Sequence, residues 1–516
     1  MEEMSSISSF ILELPLRITP HDAHILDLRL DAGRQLYNAC LGEALRRLDL
    51  MRESKVWKEA RTCRGKDERR KLFYSIQEKY GFSDYDIQAF AIETKNACWI
   101  GDHLDTHVCQ KIGTRAFRAV EQYAYGKRGR PRFKSKGHFR SLEGKNNAAG
   151  IRFRDGCTPT TNTLVWGCIE WRGLELKVLF DRKDKWGVEA HGLSCETKYV
   201  RLVRKLIHGK VRWYAQLVQK GRPKQKSKNR IGQDTVGLDI GPSTIAAVGG
   251  DDAFLVPFCA ELEPIERKVR LLQRALDRSR RSTNPENYNS DGTVKKGPKK
   301  WNLSKRYIRL KARLAEDERR LAPRRKCLHG ELANRVLAMG NQINTEQLSY
   351  KGFQREWGKS VGFRAPGMFV EKLRRKAESA GGAVYEFPAS DTRLSQLCHG
   401  CDKIEKKPLS QRWHKCECGI GPVQRDLYSA YLAKYVKENS LDTRQAKEAW
   451  PGAEPLLRRA VSRLNQTASG KLRFASFGLS RRQSGSHVKD EAVYVKAADV
   501  VGEGNALSES RKGAYT

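Results

Sequence analysis

A large surplus of positive charge is the feature that most constrains this 516-residue chain. The 98 Lys and Arg residues exceed the 60 Asp and Glu residues, giving a formal net charge of +38. A compact chain with that surplus repels itself unless a polyanion offsets the charge, and solubility alone needs only about 8 charges or fewer. We therefore expect nucleic acid as the partner. An anionic membrane is a weaker candidate, because no single amphipathic helix concentrates the charge.

Composition excludes several other classes of protein. Hydrophobic residues make up 39% and aromatic residues 9% of the chain, which rules out a wholly disordered protein. There is no run of about 18 uncharged apolar residues, so we expect no transmembrane helix. The N-terminus, MEEMSSISSF, is acidic rather than basic, and no secretory signal is expected. The 13 cysteines are mostly scattered singly, which indicates a reducing, intracellular setting.

Hydrophobic periodicity predicts a small β-barrel in the N-terminal half. Phe10, Leu12, Leu14 and Leu16 alternate within residues 1–20, as in a β-strand. A helix start follows at Thr19-Pro20, and the chain then has a helical pattern over residues 21–126. Several strands follow, among them a hairpin that turns at His208-Gly209. The barrel is therefore expected over residues 127–219, with residues 1–20 as its first strand and the helical region as an insertion.

Basic residues concentrate in a few segments of the chain. Residues 127–136 hold six cations beside aromatic residues, and a second basic linker covers residues 220–230. Either one alone would be a solvated loop, but together they suit the tracking of a phosphate backbone. Helical spacing of Leu residues also predicts an antiparallel helical hairpin with a basic outer face over residues 263–340. The candidate nucleic-acid contacts are Lys127, Arg128, Arg130, Arg132, Lys134, Lys136, Arg222, Lys224, Arg270 and Arg274.

One carboxylate, Asp239, lies in the middle of an apolar strand pattern, VGLDIG. Burying an unpaired carboxylate costs several kcal/mol, so such a residue normally has a cation or a metal as partner. The alternative at this point is an Asp that caps a turn. A second isolated acid, Asp426, opens an Ala-rich helical stretch, where N-capping would explain it equally well.

Four cysteines form two close pairs between residues 398 and 419. Cys398 and Cys401 are followed, after fourteen residues, by Cys416 and Cys418, and a Gly accompanies each pair. This spacing predicts a zinc ribbon with tetrahedral thiolate coordination. The second pair is one residue shorter than usual, so His399 or His414 could replace one ligand.

The order of these features resembles the RuvC-type nucleases of the TnpB (OrfB) transposon proteins and the compact type V CRISPR effectors derived from them. The resemblance covers residues 230–435, while the N-terminal half matches mainly in layout. Its most specific stretches are NTEQLSYKGFQREWGKSVGFRAPGMFVEKLRRKAESAGG at 344–382, LSQLC at 394–398 and KKPLSQRWHKC at 406–416.

This resemblance implies a multidomain α+β protein. A wedge-like β-barrel with its helical insertion would precede an RNase H-like (RuvC) α/β nuclease domain. The C-terminal half would then comprise the nuclease domain at 231–397, the target-binding zinc ribbon at 398–419, the last RuvC segment at 420–437, and an extension at 438–516. We expect this extension to contain one helix, about 441–464, broken at Pro451, and to be disordered over its last forty residues.

The resemblance also implies a catalytic, metal-binding triad of Asp239, Glu346 and Asp426. It would hold two Mg²⁺ ions for phosphodiester hydrolysis, and Cys398, Cys401, Cys416 and Cys418 would hold one structural Zn²⁺. Two departures stand out. The segment GNQINTEQL is a poor strand, which leaves Glu331 as a weaker rival to Glu346. Gln424 also stands where many relatives have Asp.

The implied function is RNA-guided cleavage of DNA. A guide RNA would pair with a double-stranded DNA target beside a short flanking motif, and an Mg²⁺-dependent endodeoxyribonuclease would cut it. We expect this in the bacterial cytosol or nucleoid, without a membrane partner. An RNA-guided DNA-binding repressor with weak or no cleavage and a guide-free, structure-specific RuvC-type nuclease are the alternatives. A transposon or a CRISPR context, and a monomer or a homodimer, both stay open.

Overall fold

The computed structural model describes residues 8–156, 167–181, 183–408, 410–467 and 477–478. The chain divides into two compact units, Met1–Lys226 and Ser227–Thr516. Almost all of the last forty residues, expected above to be disordered, lie outside the described ranges. Of the helices within those ranges, none has both the length and the apolar character needed to cross a bilayer.

The first unit combines a helical segment with a larger set of strands. Its elements in chain order are β1 Ser9–Arg17, α1 Pro20–Glu53, α2 Lys55–Thr62, α3 Lys66–Lys79, α4 Asp84–Asn96, α5 Ile100–His103, α6 Thr106–Ala124, β2 Ser141–Glu143, β3 Arg152–Arg154, β4 Cys168–Trp171, β5 Leu174–Val178, α7 Val188–Ser194, β6 Thr197–Ile207 and β7 Lys210–Lys220.

The strands of this unit form one seven-stranded antiparallel sheet in the order β2-β6-β7-β1-β5-β4-β3. It is a half-barrel, because β2 and β3 remain its two edges. The hairpin of β6 and β7 and the alternation in β1 form as predicted, with Leu12, Leu14 and Leu16 buried. Thr19 caps α1 in a reciprocal pair with Asp22. The helices and the sheet then share one hydrophobic core.

The second unit contains a smaller sheet with helices between and after its strands. Its elements are β8 Asp234–Ile240, β9 Thr244–Val248, β10 Ala253–Pro257, α8 Glu263–Thr283, α9 Lys305–Met339, β11 Gly340–Glu346, α10 Tyr350–Arg364, α11 Pro366–Ser379, β12 Ala383–Phe387, α12 Ala389–Thr392, β13 Trp413–His414, β14 Val423–Gln424, α13 Arg425–Lys434, β15 Val436–Lys437, β16 Ser440–Leu441 and α14 Thr443–Thr467.

The main sheet of this unit has the strand order β10-β9-β8-β11-β12. The first three strands pair antiparallel, while β11 runs parallel to both β8 and β12. Leu238 faces a core formed with α9 and α11, and Ala246 faces a core formed with α13 and α14. The sheet is thus buried between two helical layers, which fits the nearly continuous apolar sequences of β9 and β10.

The expectation of a poor strand before Glu346 is wrong. Residues Gly340–Glu346 form β11, a central strand with a partner on each side. One of its polar side chains is paired inside the fold, since Asn344 Nδ2 donates to the carbonyl oxygens of Lys434 at 3.3 Å and Val436 at 3.1 Å. Tertiary pairing therefore outweighs the weak local preference for a strand.

The expected break at Pro451 is also wrong, because α14 continues through both Pro451 and Pro455. Trp450 and Leu457, on either side of these prolines, are buried in the core formed with α13. This burial offsets the backbone hydrogen bonds that the two prolines cannot make.

Candidate functional site

Two of the expected triad residues lie on neighbouring parallel strands. Asp239 is in β8 and Glu346 ends β11, and Thr345 pairs with Leu238 in the register between them. Glu346 follows Thr345 in β11, and Asp239 follows Leu238 in β8. The two carboxylates therefore stand at the same edge of the sheet. Asp239 lies within a strand rather than in a turn, so turn capping does not explain it.

Helix α13 brings the third carboxylate to the same edge. Asp426 lies in its first turn and is 8% exposed. The hydroxyl of Thr244, at the start of β9, donates to Asp426 Oδ2 at 3.3 Å. Strands β8, β9 and β11 and helix α13 thus converge around the three acids.

The charges of these acids act on one another. Burial raises the pKa of Asp239 well above its ordinary value, and the negative charges of Asp426 and Glu346 raise it further. Burial also raises the pKa of Glu346. Within the described ranges, no hydrogen bond or salt bridge reaches the carboxylates of Asp239 and Glu346. Half-buried, unpaired carboxylates of this kind favour a divalent cation as their counter-charge.

Glu331, the rival of Glu346, is exposed on α9. The charges that raise the pKa of Asp239 come from Glu346 and Asp426. The structure therefore brings Glu346 to the site.

Two arginines approach the third acid. Arg425 Nε lies 3.7 Å and Arg412 Nη1 lies 4.0 Å from Asp426 Oδ1. Arg425 is held in place by the carbonyl oxygens of Pro408 at 3.2 Å and Gln411 at 2.9 Å. Neither arginine was predicted from the sequence, where the available signals were the place of Arg412 in the stretch KKPLSQRWHKC and the place of Arg425 beside Asp426.

Gln424 has a structural role at this position. Its Oε1 accepts the backbone N–H of Leu427 at 2.9 Å and so caps α13. N-capping by Asp426 is therefore not the explanation for that acid, and the Gln in place of Asp preserves the start of the helix.

The four cysteines form a compact cluster. Their sulfur atoms all lie within 4.8 Å of one another, with 3.5 Å between Cys398 and Cys418 and between Cys401 and Cys416. In a tetrahedral zinc thiolate the sulfur atoms stand about 3.8 Å apart, so this cluster could hold zinc. Among the described residues it is the tightest such group, and the three carboxylates are more widely spaced.

The two histidines considered as replacement ligands pack elsewhere. His399 Nδ1 lies 2.7 Å from the hydroxyl of Tyr428, and the ring of His414 stacks on Tyr428 at 4.3 Å between centroids. Since Tyr428 belongs to α13, these contacts join the cysteine cluster to the helix that carries Asp426.

The ten basic residues predicted to contact nucleic acid are exposed. Among the described residues, the side chains of Arg130, Arg128 and Arg270 have partners: Arg130 lies 3.5 Å from Asp49, Arg128 lies 3.5 Å from Gln122, and Arg270 lies 3.4 Å from Glu266.

No protein-family model matches this sequence, and no curated protein sequence matches it. Among solved structures, the chain is similar to a Cas12f1–sgRNA–target DNA complex, with a TM-score of 0.44, 12% identity, and coverage of 82% of this chain and 98% of that chain. A CRISPR-Cas12f ternary complex follows, with a TM-score of 0.28, 13% identity and coverage of 80% and 82%. A Cas12i–crRNA–dsDNA complex has a TM-score of 0.29, 10% identity and coverage of 83% and 63%.

Proposed function

We propose that this chain is an RNA-guided DNA endonuclease that hydrolyses phosphodiester bonds in DNA complementary to its guide, beside a short flanking motif. The observation that carries this proposal is the convergence of Asp239, Glu346 and Asp426 from β8, β11 and α13, with the pKa of Asp239 raised by the other two acids.

The strand order supports an RNase H-like, RuvC-type domain built from residues 231–397 and 420–437. Three antiparallel strands precede two parallel ones, and β8 lies at the centre of the sheet. The acids lie on the central strand, on its parallel neighbour and on a helix packed against the central strand. This arrangement is typical of nucleases of that class and agrees with the sequence motifs.

Asp239, Glu346 and Asp426 would hold the two metal ions of this site. Their oxygen ligands suit Mg²⁺, which, when bound, would activate a water and offset charge at the phosphodiester. Thr244 fixes one oxygen of Asp426 by its hydrogen bond, and Arg412 and Arg425 stand on the side of the other oxygen. These three residues would therefore fix the orientation of the Asp426 carboxylate.

The proposal of a guide RNA is supported by the net charge of +38, by the exposed basic segments and by the sequence resemblance. Base pairing would select the target, while the protein holds the nucleic-acid backbone. The cysteine cluster, with zinc bound, would form a ribbon that contacts the target. The protein would act in the bacterial cytosol or nucleoid.

The test uses full-length protein purified with its RNA. The RNA is sequenced, and a plasmid carrying the matching target is offered with Mg²⁺. We expect Asp239→Asn, Glu346→Gln and Asp426→Asn each to reduce cleavage at least about 100-fold, because each removes a charged metal ligand, while target binding persists. Asp251→Asn, an exposed acid of the same unit, is the matched control and should cut normally.

Each other outcome has a distinct meaning. Wild-type cleavage by Asp239→Asn would overturn the triad. Guide-dependent binding without cleavage in Mg²⁺ or Mn²⁺ would identify a repressor. Cleavage of branched DNA without a specific RNA would identify a guide-free nuclease. Guides read from transposon flanks or from many spacers would decide between the two genetic contexts.

A further inference from the structure

A cavity of about 530 Å³ lies in the first unit, between α6 and the strands β2, β6 and β7. Its charged lining consists of five cations and one carboxylate: Lys111, Arg115, Arg118, Arg140, Arg201 and Glu143. The cavity therefore carries a large positive excess within a small volume.

The one carboxylate of the cavity already has partners. Arg201 Nη2 lies 2.7 Å and Lys111 Nζ lies 3.7 Å from the side chain of Glu143. In the part of the chain that the structure describes, the other three cations, Arg115, Arg118 and Arg140, form no salt bridge. Three guanidinium groups thus line the cavity or its rim without a salt bridge of their own.

Arg115 is the most constrained of the three. Its Nη1 donates to the carbonyl oxygen of Ser141 at 3.0 Å, and its guanidinium carbon lies 4.8 Å from the centre of the Phe139 ring. Burial lowers the pKa of Arg115, the negative charge of Glu143 opposes that shift, and the positive charge of Arg201 adds a smaller lowering. A buried cation beside a second cation costs free energy that a bound anion would offset.

We propose that this cavity binds a phosphate group of a polynucleotide chain through Arg115, Arg118 and Arg140. Guanidinium groups match the geometry of phosphate oxygens and bind them with paired hydrogen bonds. The exposed basic segment 127–136 runs directly into Arg140 at the cavity, so successive phosphates of one strand could contact both. A free anion, by contrast, would contact the cavity alone and not the basic segment. The inference rests on the proposed nucleic-acid partner and adds a defined contact site to it.

The test measures RNA binding by full-length protein stripped of its RNA in high salt. Fluorescence anisotropy with a labelled single-stranded RNA of mixed sequence is recorded over a range of salt concentrations. We expect Arg118→Gln/Arg140→Gln to bind about tenfold more weakly, because two charged hydrogen-bond donors are lost. The magnitude of the slope of log K against log salt concentration should also fall by about 1 to 2. The matched control is Arg69→Gln/Arg70→Gln, two exposed arginines of α3, which should bind as wild type does.

A variant of opposite sign separates binding from folding. Glu143→Gln removes the one carboxylate of the cavity and should tighten RNA binding, whereas mere damage to the fold would weaken it. Equal affinity and equal salt dependence in the cavity variant and its control would overturn the proposal. Titration with inorganic phosphate identifies the source of the anion. Phosphate binding that the double variant loses, with RNA affinity unchanged, would assign the cavity to a free anion instead.

The binding assay is independent of cleavage. Failure of the triad variants to reduce cutting leaves these affinities unaffected. A cavity variant that binds RNA normally likewise leaves the nuclease proposal standing.

Discussion

The carbonyl oxygen of Ala430 lies 1.9 Å from the point that a Cβ atom would occupy on Gly237. The backbone nitrogen of Lys434 lies 2.5 Å from the same point. Helix α13 therefore lies directly on β8, with no room for a side chain between them. Asp426 precedes Ala430 by about one helical turn, and Asp239 follows Gly237 on the same face of the strand. This close approach is what brings the two acids together.

Gly237→Ala should separate α13 from β8. The added methyl group meets backbone atoms that cannot rotate away, so we expect a loss of about 3 kcal/mol or more in the free energy of unfolding, together with loss of cleavage. Chemical denaturation and a cleavage assay measure the two effects. Gly452→Ala is the matched control, because a Cβ there meets nothing within 4 Å. It should be neutral or stabilise α14 by up to about 1 kcal/mol. Normal stability of Gly237→Ala would contradict the close packing.

The cysteine cluster predicts one bound zinc ion per chain. Cys401→Ser removes one thiolate of the set, so zinc content should fall sharply and the melting temperature should drop, since the metal contributes folding free energy. Elemental analysis of purified protein measures the zinc. The control is Cys327→Ser, an exposed cysteine of α9 outside the cluster. Full zinc content in Cys401→Ser, or equal loss in the control, would argue against the site.

Local periodicity was enough to predict the elements of the first sheet. The alternation of Leu12, Leu14 and Leu16 and the turn at His208-Gly209 are local patterns that predict β1 and the β6–β7 hairpin, although β1 takes its strand partners from the distant β5 and β7. Strand β11 was expected to be a poor strand because most of its residues are polar, and one of them, Asn344, is paired only through hydrogen bonds to the distant carbonyl oxygens of Lys434 and Val436.

In the candidate site too, some features follow from local sequence patterns and others depend on distant residues. An acid in an apolar strand and paired cysteines are local patterns, so Asp239 and the cluster could be identified from the sequence. The contact of Thr244 with Asp426 joins residues 182 positions apart. It exists only because α13 packs against β8 and β9, and no spacing rule predicts it.

Replacing Asp239 should stabilise the metal-free protein at neutral pH. A carboxyl group with a raised pKa holds its proton more tightly in the folded chain. Its contribution to stability is therefore full below the ordinary carboxyl pKa of about 4 and is lost as the pH rises through the raised value. Asp239→Asn has no ionisable carboxyl group at this position and so avoids this loss of stability. The variant should therefore unfold at a higher temperature than the wild type at pH 7 without metal.

With Mg²⁺ present, the wild type should unfold at a higher temperature than Asp239→Asn. Ligand binding to the folded state raises the melting temperature of the wild type, and Asp239→Asn should respond little. Thermal unfolding with and without Mg²⁺ measures both effects. If the wild type and the variant show the same pH dependence and the same response to Mg²⁺, Asp239 does not belong to a cation site.

His329 should make the second unit sensitive to acid. Its ring stacks on Phe258 and meets Phe369 edge to face. Its Nε2 lies 2.8 Å from the carbonyl oxygen of Arg364, and burial lowers its pKa to about 4. An unfolded histidine takes up a proton near pH 6.5, so the stabilising effect of the neutral ring is full above that value and is lost as the pH falls towards 4.

His329→Phe removes this titration. At pH 7 the variant should be less stable than the wild type by about 1 kcal/mol, because the Arg364 carbonyl oxygen loses its partner. At pH 5 the free energy of unfolding of the wild type falls by about 2 kcal/mol, because its unfolded chain binds a proton at His329 that the folded chain does not. The stability difference between wild type and variant should therefore vanish or change sign. Denaturant unfolding at the two pH values tests this, with His21→Phe, an exposed histidine of α1, as the control. Parallel pH dependence in the wild type and His329→Phe would show that the acid sensitivity arises elsewhere.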